Sequence, residues 1–144
     1  MPMLAPADVR QRVLQTIQAA RRAAEARRAR AAEAERDGSA VLAEVVAPAC
    51  RAVAAVLKAE GYGFRVLTPA GSVRLARDAA TEDFIEIALD TTRDPPALVG
   101  RVSRAWGRRV LVDEQVVREA PIGGLTEDEA IAMVLERLGP FVER

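Results

Sequence analysis

Between Phe64 and Val117 the chain alternates short apolar runs with connections too short to hold a crossover helix, and that spacing is its strongest constraint. The runs are Phe64 to Leu67, Val73 to Arg77, Phe84 to Leu89, Ala97 to Ser103 and Val110 to Val117. Parallel neighbours need a dozen or more connecting residues, so strands this close in sequence pair antiparallel. Thr68-Pro69-Ala70-Gly71 has the length and chemistry of a hairpin loop, and a second turn falls around Trp106-Gly107. In the third run Ile85, Ile87 and Leu89 share one face and Phe84, Glu86 and Ala88 the other. The reading is an antiparallel meander of four or five strands.

Helical patterns flank it. Pro6 to Arg36 is rich in Ala, Arg, Glu and Gln with no Gly or Pro after Pro6, which predicts a long helix. Its apolar stripe runs Val9, Val13, Ile17, Ala20, Ala24 and then meets Arg27. Pairs at helical spacing, such as Arg21 with Glu25 and Arg30 with Glu33, are expected to support the solvated part. Asp37-Gly38-Ser39 reads as a stop followed by a new N-cap, which predicts a helical hairpin. The second helix spans about Ala40 to Glu60 and carries Leu42, Val46, Ala49, Val53, Val56 and Leu57 on one face. Pro48 cannot donate to Glu44 and is expected to kink or restart it. Thr126 to Glu129 forms a capping box that starts a last helix, with Gly139-Pro140 expected to stop it. The fold class is therefore α+β: an N-terminal helical hairpin, the meander, and a C-terminal helix packed on the sheet. Residues 1–37 read as a long helical oligomerisation arm and residues 38–144 as one α+β domain.

Composition narrows the chemistry. The 144 residues contain no His and one Cys, so no zinc or transition-metal site of the usual nitrogen and sulfur ligands can be assembled within one chain. Ser39, Ser72 and Ser103 have no His to activate them. Glu82 with Glu86, and Asp90 with Asp94, are the carboxylate pairs open to acid–base work. Gly123-Gly124 precedes a helix but lacks a P-loop lysine, and Glu127, Asp128 and Glu129 would repel a phosphate. No cofactor and no metal are expected. Cys50, at the edge of the second helix's stripe, reads as an inert buried thiol, and a lone cysteine suits a reducing, cytoplasmic setting. Met1 to Pro6 shows no signal pattern, and no uninterrupted run of 18 apolar residues suggests a membrane span.

The formal charge is zero, from 21 bases and 21 acids, but it is a cancellation between segments. Residues 1–37 carry +3, residues 38–94 carry −2, residues 95–112 carry +4 and residues 113–144 carry −5. The favoured reading is a non-catalytic interaction or scaffold module, a homodimer paired through Val9, Val13, Ile17, Ala20 and Ala24 or bound to a protein partner. The alternative is nucleic-acid binding through Arg101, Arg104, Trp106, Arg108 and Arg109, helped by the basic helix from Arg10 to Arg30. Against that alternative, Trp106 is expected to fold back as a cover over the sheet. A hydrolase or transferase using carboxylates alone is the third reading, and no membrane partner is expected.

Overall fold

A computed structural model describes residues 3–143. The N-terminal half is one continuous helical rod. Helix α1 spans Pro6–Val41, a π-helical turn spans Leu42–Val46, and helix α2 spans Ala47–Ala59. The expected hairpin at Asp37-Gly38-Ser39 is thus corrected to an unbroken helix. Gly38 is buried, and a Cβ there would lie 2.7 Å from Leu89 Cδ2. Its missing side chain lets the rod lie against the sheet, so this glycine marks a close approach rather than a stop. Ser39 accordingly sits inside the helix, exposed, and caps nothing.

Pro48 does not restart the rod, which runs on without a break. The Ala47 amide bonds back to the Leu42 carbonyl, five residues earlier, and this widened turn lies immediately before the residue that lacks a donor. The register slip absorbs the missing bond while Val46, Ala47, Ala49 and Cys50 stay buried. Helix α2 ends in a glycine cap: Gly61 has φ 91°, and the Tyr62 amide donates to the Leu57 carbonyl at 2.8 Å. Part of the rod reaches a mean hydropathy of 1.9 over 18 residues, apolar enough by length and composition to cross a membrane. In this fold that apolarity supplies Val41, Leu42, Val46, Val53 and Leu57 to the core.

Strands β1 (Phe64–Leu67), β2 (Ser72–Arg77), β3 (Phe84–Asp90), β4 (Ala97–Trp106) and β5 (Arg109–Glu119) form one antiparallel sheet in sequential order. This is the expected meander. Its register aligns Val66, Leu75, Ile85 and Val102 in one row and Val73, Ile87 and Gly100 in the next. These rows face the rod and the last helix. Leu75, Ile85, Ile87 and Leu98 are fully buried, each contributing roughly 1.5–3 kcal/mol of burial free energy. Near the end of β5, the Arg118 guanidinium donates to the Pro121 and Gly123 carbonyls and lies 3.4 Å from Glu129, tying the Gly123-Gly124 link to the sheet.

Helix α3 spans Glu127–Val142. Thr126 Oγ1 accepts from the Glu129 amide at 3.1 Å and Glu129 Oε1 accepts from the Thr126 amide at 3.1 Å, completing the capping box. The bonds from the Thr126 amide and hydroxyl to the Glu129 carboxylate hold it below its ordinary range. Gly139-Pro140 does not stop the helix, which corrects the expectation. The ring removes one amide near the C-terminus, where little of the ladder remains to be lost, and one more residue brings Phe141 into the core. Its ring meets Phe64 edge-on at 6.4 Å. Phe141→Ala should therefore lower stability by about 3 kcal/mol. A urea midpoint shift with unchanged slope is the expected result; no shift would mean that the last turn is ornamental.

Candidate interaction surfaces

The first surface is the N-terminal arm. Every residue from Pro6 to Ala23 is exposed, and packing begins only around Ala24, Ala31 and Ala34. At 1.5 Å per residue, the free stretch from Pro6 to Ala23 is about 26 Å long. Val9, Val13, Leu14 and Ile17 are 44, 50, 44 and 39% exposed, a row of branched and long apolar side chains facing solvent. Ala20 is exposed and Ala24 half-buried on the same stripe. From Val13 the stripe keeps a strict four-three spacing through Ile17, Ala20, Ala24, Arg27, Ala31, Ala34, Gly38 and Val41. Arg27 alone breaks its apolar character. The body-packed end, Ala34, Gly38 and Val41, is buried; the arm end is the same seam left uncovered.

The intrahelical pairs expected along the arm do not form within 4 Å. Arg30 reaches off the helix instead, pairing with Asp94 at 3.1 Å. This contact fastens the base of the arm to the loop between β3 and β4. Asp90, in the same loop, accepts from the Thr92 hydroxyl and amide and from Arg93. The Thr92 bond is the chief reason its carboxyl is held below the ordinary range. Asp90 and Asp94 are therefore tied to different partners.

The second surface is the β4–β5 hairpin. Trp106 pairs with Arg109 across Gly107 and Arg108, and Gly107 takes the left-handed φ of 61° that a two-residue hairpin turn requires. Trp106 is 68% exposed, so it does not fold back over the sheet as expected. Cross-strand pairing places Arg104 with Leu111 and Trp106 with Arg109 on the α3 side of the sheet. Arg108 sits in the turn. Arg101, by contrast, belongs to the opposite face. The structure brings Arg104, Trp106, Arg108 and Arg109 to one end of the molecule and separates Arg101 from them.

Arg101 is part of a charge ladder that sequence reasoning missed. On the sheet face away from the helices, Arg74, Glu86, Arg101 and Glu114 stand opposite one another on four successive strands. Glu86 Oε2 accepts from Arg74 at 2.9 Å and from Ser72 at 3.3 Å, and Oε1 accepts from Arg101 at 2.9 Å. Arg101 also lies 3.4 Å from Glu114. The bond to Glu86 raises the Arg101 pKa above its ordinary value. The Glu86 side chain is only 4% exposed, and both of its oxygens have hydrogen-bond partners. Its alternation with Arg74 at a spacing set by strand pairing was the available signal. Nearby, Asp83 accepts from Arg77 at 2.9 Å and from the Ala105 amide at 2.7 Å, and Ser103 donates to the Glu82 carbonyl. Glu86 is thus held in the ladder by its carboxylate, whereas Glu82 takes part through its backbone carbonyl.

Two of the surface clefts lie beside α3. One of about 500 Å³ lies between the hairpin and α3, lined by Arg104, Leu111, Asp113, Gln115 and Arg137 among others. An apolar groove of about 300 Å³ runs between α2 and α3, lined by Val53, Val56, Leu57, Ile131, Leu135 and Leu138. Neither contains Glu82, Glu86 or Asp90. Cys50 is buried, and desolvation pushes its thiol up to about 11, the inert state expected of it. Compared with protein-family models, curated proteins and solved structures, the chain finds no match in any of the three.

Replacing Glu86 tests whether the ladder is structural. Glu86→Ala leaves two guanidiniums facing each other, but both are about one-third exposed, so water screens much of the cost. The expected loss is about 2 kcal/mol, below that of a fully buried pair. Chemical denaturation should show it, and an unchanged midpoint would remove the ladder from the account of stability.

Proposed function

We propose that this protein is a non-catalytic interaction module that self-associates through its N-terminal arm. The observation that carries the reading is the solvent-facing stripe of Val9, Val13, Leu14 and Ile17 on a helix held away from its own body. An isolated helix gains little stability without a packed face. Pairing two arms side by side removes that stripe from water, and Ala20 and Ala24 permit close approach of the backbones. The four-three spacing from Val13 to Ala24 is the repeat that lets two helices stay in contact along their length. Arg27 and the contact of Arg30 with Asp94 mark where the paired portion ends and the body begins. The partnered state of Glu86, Asp90 and Asp94 supports the non-catalytic part of the reading.

Val13→Lys with Ile17→Lys places two charges in the seam without touching the core. At high ionic strength, light scattering of the full chain at tens of micromolar should give a dimer mass that the double variant loses, while the thermal unfolding of the body is retained. An unaltered mass would refute arm pairing.

A second reading rests on one observation: Arg104, Arg109 and the exposed Trp106 share a face at the hairpin tip, where arginines can meet phosphates and an indole can stack on a base. Trp106 is the only tryptophan in the chain, so its fluorescence reports directly. Titration with single-stranded oligonucleotides should quench it with an affinity that falls steeply as salt rises, and Arg104→Glu with Arg109→Glu should abolish the response. No quenching at low salt would dismiss this reading.

A further inference from the structure

Strand β5 is the long free edge of the sheet. It runs for 11 residues, and among the described residues its outer side has no neighbour in the strand order. An uncovered edge presents a row of unpaired amides and carbonyls. Near the turn it carries three consecutive exposed apolar residues, Val110, Leu111 and Val112, at 50, 56 and 62%. The irregularity that would blunt such an edge lies at the far end, opposite Leu98 and Val99, and leaves Arg109 to Asp113 regular.

Backbone geometry selects which residues face outward. A two-residue turn is closed by a hydrogen-bonded pair, here Trp106 with Arg109, and such pairs alternate along an antiparallel ladder. Val110 and Val112 therefore turn their amides and carbonyls to the open edge. A second copy of the same strand, related by a two-fold axis, must bond through residues of this same parity, which restricts the axis to lie on one residue. Centred on Glu114, the pairing uses the whole strand but sets Glu114 against its own copy, and like charges directly opposite destabilise. Centred on Val112, it sets Leu111 opposite Asp113 and Val110 opposite Glu114, matching apolar side chains with carboxylates.

Centred on Leu111, every position finds a complement. Leu111 meets Leu111, Val110 meets Val112, and Arg109 meets Asp113 at both ends of the contact. On one face this gives a row of Val110 and Val112 from both copies, flanked by Ala105 and Ser103 of β4. On the other face, Arg109 lies between Trp106 of its own hairpin and Asp113 of the second copy. We infer that the β5 edge is a self-recognition surface, occupied by a second copy of this chain in the register centred on Leu111, which joins two sheets into one. It uses no residue of the arm and stands or falls independently of arm pairing.

The test is best made in the full chain carrying Val13→Lys and Ile17→Lys, so that arm pairing contributes nothing. In this register the two Leu111 positions form a non-hydrogen-bonded pair, whose Cα separation of about 4.5 Å suits a disulfide. The two Glu114 positions lie about 20 Å apart. Leu111→Cys should therefore cross-link to a dimer under mild oxidation and Glu114→Cys should not; the native Cys50 is buried with its pKa pushed to about 11, so it stays silent. Arg109→Asp alone should weaken association about tenfold, as should Asp113→Arg alone. The double swap should restore it. Equal cross-linking at both positions, no cross-linking at Leu111, or a double swap as weak as its singles would each overturn the register.

Discussion

Burial of one face of the helical rod against the sheet is the contact on which the rest of the molecule depends. Val41, Leu42, Val46, Val53 and Leu57 all enter the core from this rod. Two of its residues argue locally for interruption. A glycine inside a helix costs about 1 kcal/mol relative to alanine, and a proline interior to a helix more. Each buried branched side chain returns roughly 1.5–3 kcal/mol, so packing outweighs both. Gly38 is then used for its lack of volume beside Leu89, and Pro48 is accommodated by one widened turn. Had either residue broken the rod, the arm would point elsewhere.

Because the rod is continuous, the arm is a rigid extension of a core helix. Its direction is set by residues more than 20 positions away, and Arg30 to Asp94 braces its base. The sheet's two faces are correspondingly different. The rod and α3 cover one with apolar rows, while the other carries the Arg74, Glu86, Arg101 and Glu114 ladder, whose long side chains lie beside small buried residues such as Ala76, Ala88 and Ser103. Arginine stems can shield such neighbours while keeping their charges wet. The sheet therefore needs no second layer of helices, and its β5 edge is left accessible.

What was legible in the sequence follows from the range of the forces involved. Strand runs, their antiparallel order and the Thr126 capping box depend on neighbours within a few residues, and each stands where its pattern put it. The helix-breaking signals at Gly38, Pro48 and Pro140 were also local, and each was overridden by a buried partner distant in sequence: Leu89 for Gly38, the core positions around Val46 for Pro48, and Phe64 for the turn beyond Pro140. The stop signal at Gly38 also masks the seam, because the four-three spacing of the arm continues through that residue to Val41. The charge ladder was hidden for a different reason. Glu86 and Arg101 are 15 residues apart and become neighbours only when strand register is known. Arg101, grouped in sequence with the basic hairpin, is removed from it by the alternation of side chains along a strand.

The arm and the β5 edge, read together, define the kind of assembly this chain would make. Each proposed contact is isologous: one surface meets its own copy across a two-fold axis. One such contact closes a dimer and goes no further. Two isologous contacts on separate surfaces leave every dimer with a free copy of the other surface, and unless their axes meet the result is an open chain of alternating joints. The joints would respond to different conditions. The seam of Val9, Val13 and Ile17 is driven chiefly by apolar burial and is little affected by salt, whereas the Arg109 to Asp113 contacts at the rim of the edge are screened over about 8 Å at physiological ionic strength. A zero net charge built from a basic arm and hairpin and an acidic C-terminal segment adds no long-range repulsion to oppose such growth. The order of assembly would then be set by salt: arm-paired dimers at high ionic strength, and their edge-to-edge extension as the ionic strength falls.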